Sequence, residues 1–421
     1  MKKNFLKLKK PLINYKFKID NSIDQQDINS VVKVMKTGIL SGFVASNNEF
    51  FRGGPQVKKF EKLWCKFFNS KYSISVNSWT SGLIACIGAL DLEPGDEIIT
   101  TPWTMCASAT SILHWNCIPV FADIEKDTFC IDPKSVLKKI TKKTKAILAV
   151  DIFGQSCDYA SLLQIAKKNN LKLICDSAQA ILTKYKGKYV GTIGDVGGYS
   201  LNYHKHINTG EGGVIVTNNR KYAEKMYAIR NHAEAVVKKN TAKELKNMVG
   251  YNFRMGEIEA AIGIQQLKKL KKRVQLKQNI VKKLNNGLKN LRGLKLPVIR
   301  KNTTHSFYIY PLILDLDIIK INRKKIFSAL VKEGIQGLTD KYVLLHLYPI
   351  FQKKIAYGSK NFPWSTFKNK TRYSQGICPV AENLQNKTFL GLQIQLYELK
   401  EKDINLIILA FKKVWRKFGF I

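Results

Sequence analysis

The sequence predicts an α/β protein: a mainly parallel sheet with flanking helices, followed by a smaller α+β domain. Three observations predict it. From about residue 70 to 220, short apolar runs alternate with helix-period stretches, the pattern of a parallel sheet covered by helices. After Asn219 the texture changes to long lysine-rich helices, with no internal repeat or low-complexity linker. A length of 421 residues suits one large domain plus a smaller one.

The elements follow in order. Residues 72–76, 97–101, 118–121, 146–153 and 172–175 read as strands, short and apolar, each ending in small, polar or acidic residues. Between them, residues 78–90, 107–114, 132–139 and 159–169 read as helices. Open α/β sheets place their binding crevice at such strand ends. Residues 214–217 form a further strand, and 256–291 are mostly helical and poor in breakers. The remainder mixes a strand at 306–314 with helices at 324–333 and 402–418. The domain cut falls between residues 264 and 265. It gives a large α/β domain with an N-terminal arm over 1–264 and an α+β domain over 265–421, with the long helix bridging them.

Composition narrows the function. Apolar residues make up 45% of the chain, enough for a sizeable core. The net charge of +39 comes mostly from lysines scattered along polar faces, as in Lys268-Lys269-Leu270-Lys271-Lys272. With no aromatic-interleaved basic stripe and no zinc-finger spacing, nucleic acid is not the expected partner. Eight cysteines without a CxxC pair read as free thiols of a reducing compartment. Residues 1–5 are basic but lack the apolar core of a signal peptide, and no apolar run is long enough to span a bilayer. A cytoplasmic protein is expected.

The chemistry concentrates in Gly198-Tyr199-Ser200-Leu201-Asn202-Tyr203-His204-Lys205, followed by His206 to Gly213. A lysine between two β-like runs sits in a loop that a sheet can hold rigid, which suits an imine-forming amine. Upstream, a buried strand ends in Cys175-Asp176-Ser177-Ala178-Gln179. A carboxylate there needs a cation, and a protonated pyridine nitrogen is one; the same aspartate also fits a helix N-cap. In Val76-Asn77-Ser78-Trp79-Thr80-Ser81-Gly82 a strand passes through a capping serine into a helix, a ready phosphate site.

Together these stretches resemble the sugar aminotransferases of the DegT/DnrJ/EryC1/StrS family, over nearly the whole chain. The likeness includes Gly54-Pro55 with Val57, Phe60 and Glu61, then Asn77-Ser78-Trp79-Thr80 and Phe153-Gly154-Gln155. It continues through Asp176 with Gln179, Gly191 with Gly194-Asp195, and Ser200 five residues before Lys205. Gly250-Tyr251-Asn252-Phe253-Arg254-Met255, Leu345-His346 with Pro349, and Cys378-Pro379 with Ala381-Glu382 complete it. The resemblance implies a fold-type I pyridoxal 5'-phosphate (PLP) enzyme that aminates a nucleotide-diphosphate keto-sugar for lipopolysaccharide, capsule or other glycan synthesis, with glutamate as amino donor. Lys205 is implied as Schiff-base lysine and proton shuttle, Asp176 as partner of the ring nitrogen and Gln179 of the ring hydroxyl. Ser200, Trp79 and Thr80 are implied at the phosphate, the latter two through their backbone, with Asn252 supplied by the neighbouring subunit of a homodimer.

Three positions depart from the family pattern. Met105 stands where an aromatic ring usually covers the cofactor, with Trp103 close by in sequence. Trp79 replaces a small residue, and Leu390-Gly391-Leu392-Gln393 stands where a leucine-proline pair is usual. Arg254 and His346 are candidates for contact with substrate; an ion pair suits Arg254 equally. His204 and His206 lack the carboxylate or cysteine spacing of a metal site. A sugar dehydratase of the same family, with histidine at the lysine position, and a non-catalytic regulator are the alternatives; lysine stands in register here.

Overall fold

The computed structural model describes residues 10–237 and 246–421. The basic opening stretch, residues 1–5, lies outside the described residues. A seven-stranded sheet organises the first part of the chain: β1 (Tyr72–Val76), β2 (Glu97–Thr100), β3 (Ile118–Phe121), β4 (Thr144–Val150), β5 (Lys172–Asp176), β6 (Val196–Ser200) and β7 (Gly213–Thr217). Their spatial order is β1-β7-β6-β5-β4-β2-β3. All neighbouring pairs are parallel except those of β7, which runs antiparallel to both β1 and β6.

These strands are buried almost throughout, so they read as continuous apolar runs rather than alternating ones. Helices cover them: α1 (Gln25–Thr37), α2 (Pro55–Phe68), α3 (Trp79–Ala89), α4 (Ala107–His114), α5 (Pro133–Lys139), α6 (Tyr159–Lys168) and α7 (Arg220–Arg230). Starts are set by side-chain caps, as where Ser78 accepts from the Ser81 amide and Asp158 from that of Ser161. Glu61 of the 54–61 motif, on α2, accepts from the Ser75 amide at 2.9 Å and pairs with buried Arg230 at 2.6 Å, which fixes β1.

Helix α8 (Glu257–Leu288) runs for 32 residues without a break, so the cut expected at 264/265 falls inside it. Its two ends contribute to different cores, Ile264 and Leu267 beside Tyr199, and Leu284 and Leu288 beside Leu312. Beyond it, β8 (Leu294–Lys295), β9 (Tyr310–Leu314), β10 (Leu338–Thr339) and β11 (Phe389–Leu392) form an antiparallel sheet in the order β8-β9-β11-β10. Helices α9 (Arg323–Lys332) and α10 (Glu401–Lys417) pack with it. No helix among the described residues is long and apolar enough to cross a membrane.

Two expected strands end differently, for one shared reason. The run at 146–153 stops at Val150, and Phe153 turns into the left-handed region at φ 58° with Gly154 at 97°. The run at 306–314 starts only at Tyr310. Between them the Ser306 amide donates to Gly154 O at 3.1 Å and the Tyr308 amide to Phe153 O at 2.8 Å. A Cβ on Gly154 would stand 2.7 Å from Phe307 N, so the glycine permits this crossing. It seats Tyr308 at the mouth of the large sheet. β6, the first of the two β-like runs around Lys205, forms although Gly197 and Gly198 weaken its propensity as a strand.

Candidate active site

The sheet's strand ends enclose a cavity of about 260 Å³ that gathers most of the expected residues: Trp79, Thr80, Met105, Asp176, Gln179, Ser200 and Lys205. β5 delivers Asp176 as its last residue, and β6 delivers Ser200 as its own. α3 begins at Trp79 and Thr80, so its free amides and positive dipole end face the same space. A larger cleft of about 680 Å³ lies between α8 and the start of α10, lined by Lys277, Lys283, Tyr397 and Glu401. It is walled by mutually paired charges, such as Lys283 with Glu401 and Lys277 with Asp20.

Lys205 sits in the loop joining β6 to β7, with Nζ 4.3 Å from the centroid of the Tyr308 ring. Burial lowers its pKa to about 8, and the charge of Asp176 opposes that fall. An amine so tuned is uncharged in an appreciable fraction near neutrality, as nucleophilic attack on a carbonyl requires. His204, also on the cavity wall, is pushed down to about 4 by burial and by Lys205, so it adds no positive charge.

Asp176 is buried, which raises its pKa, while hydrogen bonds and Lys205 act in the opposite sense. Ser108 Oγ donates to Oδ2 at 2.7 Å, Trp79 Nε1 to Oδ1 at 2.7 Å, and the Ala178 amide to Oδ1 at 3.2 Å. Beneath it, the Asp151 amide donates to Asp176 O at 3.0 Å. Burial lifts the Asp151 carboxyl to about 7 despite donors from Ser177, Tyr159 and Cys157. Gln179 is clamped: its Oε1 accepts from Phe153 N and its Nε2 donates to Tyr342 Oη, both at 2.9 Å.

Several expectations are corrected. Trp103 does not reach the cavity; it is fully buried against Tyr342 and Phe389, leaving Met105, 59% exposed, as the side chain beside the cavity's open edge. His346 is also fully buried, bonded through Nε2 to Glu382 Oε1 at 2.9 Å, so it holds the 376–382 segment rather than meeting substrate. Trp79 contributes its side chain as well as its backbone. Arg254 does not line this cavity: its Nε donates to Asn252 Oδ1 at 2.7 Å on an outer surface next to Asn77, and Asn252, expected to serve the neighbouring subunit rather than this cavity, stands on that same surface.

Ser108, Tyr308 and Tyr342 are cavity residues that the sequence reading missed. Ser108 carried a usable signal, lying in the first turn of α4 just after Met105. Tyr308 and Tyr342 come from beyond α8, where nothing local marks them.

Comparison with known proteins gives the same picture. A sequence model described as the DegT/DnrJ/EryC1/StrS aminotransferase family matches residues 42–388. The GDP-perosamine synthase of Vibrio cholerae is 32% identical over 322 residues, 76% of this chain and 84% of its own. The spore coat polysaccharide biosynthesis protein SpsC of Bacillus subtilis is 30% identical over 347 residues, 81% and 86% of the two chains. Helicobacter pylori PseC, a solved aminotransferase involved in the biosynthesis of pseudoaminic acid, superposes with a TM-score of 0.78 at 26% identity, over 96% of this chain and 100% of its own. The architecture is that of the PLP-dependent aminotransferases, as the sequence predicted. With the match running unbroken from the segment before α2 to the end of the 376–388 region, the chain belongs to the DegT/DnrJ/EryC1/StrS aminotransferase family.

Proposed function

We propose that the protein is a PLP-dependent aminotransferase that moves an amino group from glutamate to a nucleotide-linked keto-sugar, for lipopolysaccharide, capsule or other glycan synthesis. The observation that carries this reading is the cavity's division of labour: a lysine of lowered pKa in the middle, a buried carboxylate on one side and a helix N-terminus on the other. The residues fit the cofactor. Trp79 and Thr80 would offer amides and Ser200 a hydroxyl to its phosphate, Asp176 would serve its ring nitrogen and Gln179 its ring hydroxyl, and Met105 is the side chain available to cover the ring. Asn202 Oδ1, buried and without a partner among the described residues, leaves an acceptor on the cavity wall free for a donor of a bound group. Bound there, PLP supplies the electron sink that transamination needs.

The chain's own residues do the rest. Lys205 would anchor the cofactor through Nζ and, with its amine free, would take and return the proton at the reacting carbon of the substrate. Tyr308 holds Nζ over its ring face, which limits the amine's swing. The cavity is small, so the nucleotide part of the sugar lies outside it, across the mouth where Met105 and Tyr203 are exposed. The lysine excess favours a diphosphate there.

A homodimer completes the site in this reading. Ile39, Leu40, Val44 and Phe50 are exposed on the segment that packs against Asn231 and Glu257, close to exposed Asn252. Covering that apolar strip with a second copy would bring Asn252 toward the neighbouring phosphate. The eight free thiols fit the reducing cytoplasm.

The test is spectroscopic and chemical. Purified protein given PLP is expected to show an imine absorbance band that shifts with glutamate and is missing in Lys205→Ala. A panel of keto-sugar nucleotides with glutamate, read by product mass, then identifies the acceptor. A protein that retains no cofactor after PLP addition refutes the proposal.

A further inference from the structure

Trp79 stands where a small residue is usual, and only its backbone was expected to matter. Its indole instead fills a slot opened by glycines. A Cβ on Gly82 would stand 2.7 Å from Trp79 Cε3, and one on Gly198 would stand 2.3 Å from Cζ3 and 2.5 Å from Cη2. Side chains at either position would evict the ring. From that slot the indole N–H reaches Asp176 Oδ1 at 2.7 Å.

The acceptor capacity of Asp176 can be counted. A carboxylate has about four acceptor positions, two on each oxygen. Oδ1 takes Trp79 and the Ala178 amide; Oδ2 takes Ser108 alone. One position remains free, and it is on Oδ2. The titratable groups facing this carboxylate are Lys205 from the β6–β7 loop, the Cys86 thiol of α3 and the Tyr342 phenol. Only Lys205 among them carries positive charge. The burial that surrounds Asp176 favours its neutral form, and a neutral acid cannot keep a ring nitrogen protonated. Donors fixed by the fold must therefore hold the anion.

We propose that Trp79 is a positioning residue, whose indole N–H holds Asp176 ionised and turned so that Oδ2 is the oxygen left to meet the cofactor's ring nitrogen. The proposal rests on the PLP reading above. It also accounts for the pairing of a bulky residue at 79 with glycine at 82; at 198 the Val214 carbonyl oxygen, 2.2 Å from a Cβ there, requires glycine as well.

The experiment compares wild-type protein with Trp79→Phe and Ser108→Ala, titrating PLP between pH 5 and 9 and reading its dissociation constant and absorbance. Phe keeps a ring in the slot and deletes the donor. Losing one charge-assisted hydrogen bond makes the carboxylate easier to protonate, so the acid-side loss of cofactor begins at higher pH. The expected displacement is about one pH unit upward, with roughly fivefold weaker binding at the wild-type acid midpoint. Ser108→Ala moves the limb in the same direction. A Trp79→Phe profile superimposable on wild type overturns the proposal. Wild-type protein that binds no PLP at any pH overturns instead the reading beneath it, so the two failures are distinguishable.

A second measurement does not depend on the folding of Trp79→Phe. In 15N-tryptophan-labelled wild-type protein, one of the six indole N–H resonances is expected to move when Asp176→Asn is introduced. Six unmoved resonances overturn the assignment.

Discussion

Replacing Lys205 by methionine should stabilise the cofactor-free protein at neutral pH. Burial takes the Lys205 pKa from 10.5 to about 8, with Asp176 acting the other way. At about 1.4 kcal/mol for each pH unit, the fold holds this ammonium at a cost of about 3 kcal/mol. The folded pKa lies below the unfolded one, so the unfolded chain binds the proton more tightly. The penalty is therefore complete below about pH 8 and fades as pH climbs toward 10.5. Methionine has a comparable length without the charge, but its thioether does not reproduce the packing of the lysine side chain against Tyr308, which returns part of the gain. A net stabilisation of about 1–2 kcal/mol at pH 7 remains, or a melting temperature higher by roughly 2–4 °C in thermal denaturation of apo protein. The gap should close by pH 10. A Lys205→Met protein that melts at or below wild type at pH 7, or whose advantage is unchanged at pH 10, refutes the reasoning.

His346→Ala removes the bond to Glu382, whose carboxylate also accepts from the Gly376 amide, and should cost about 2–4 kcal/mol of stability in chemical denaturation. The KM values for donor and acceptor should stay unchanged, since the ring is buried away from the cavity. Gly82→Ala puts a methyl 2.7 Å from the Trp79 ring, which Gly198 prevents from retreating, and should weaken PLP binding as well as costing about 1–3 kcal/mol.

The outline of the large sheet was legible because its strands are buried on both faces and separated by helices of clear period. Residues 72–76, 107–114 and 118–121 fall where the sequence places them, since each is bounded by a turn or a cap. What escaped reading depends on contacts between distant segments. The strand ends near 153 and 306 are decided by backbone bonds to each other across half the chain. Lys205 and Asp176 stood out through order and spacing alone, but Tyr308 and Tyr342 reach the same cavity from the far side of a 32-residue helix. His346 shows the opposite error: a polar residue in a family signature looks like a ligand contact until its burial is known. Trp79 was read as a backbone contributor because no local pattern tells which way an indole points.

The loop bearing Lys205 joins two interior strands of the sheet, and its base is closed by bonds from Leu201 N to Gly212 O and from Thr209 N to Leu201 O, both 2.9 Å. The Lys205 amide is itself tied to Asn202 O at 2.9 Å. Its backbone therefore cannot swing aside to admit cofactor or substrate without tearing the middle of the sheet. The reach of the amine is then set mainly by its side-chain torsions, so in the function proposed above proton delivery would be rotation of a short tethered arm, and loading would proceed by the exposed rim at Met105.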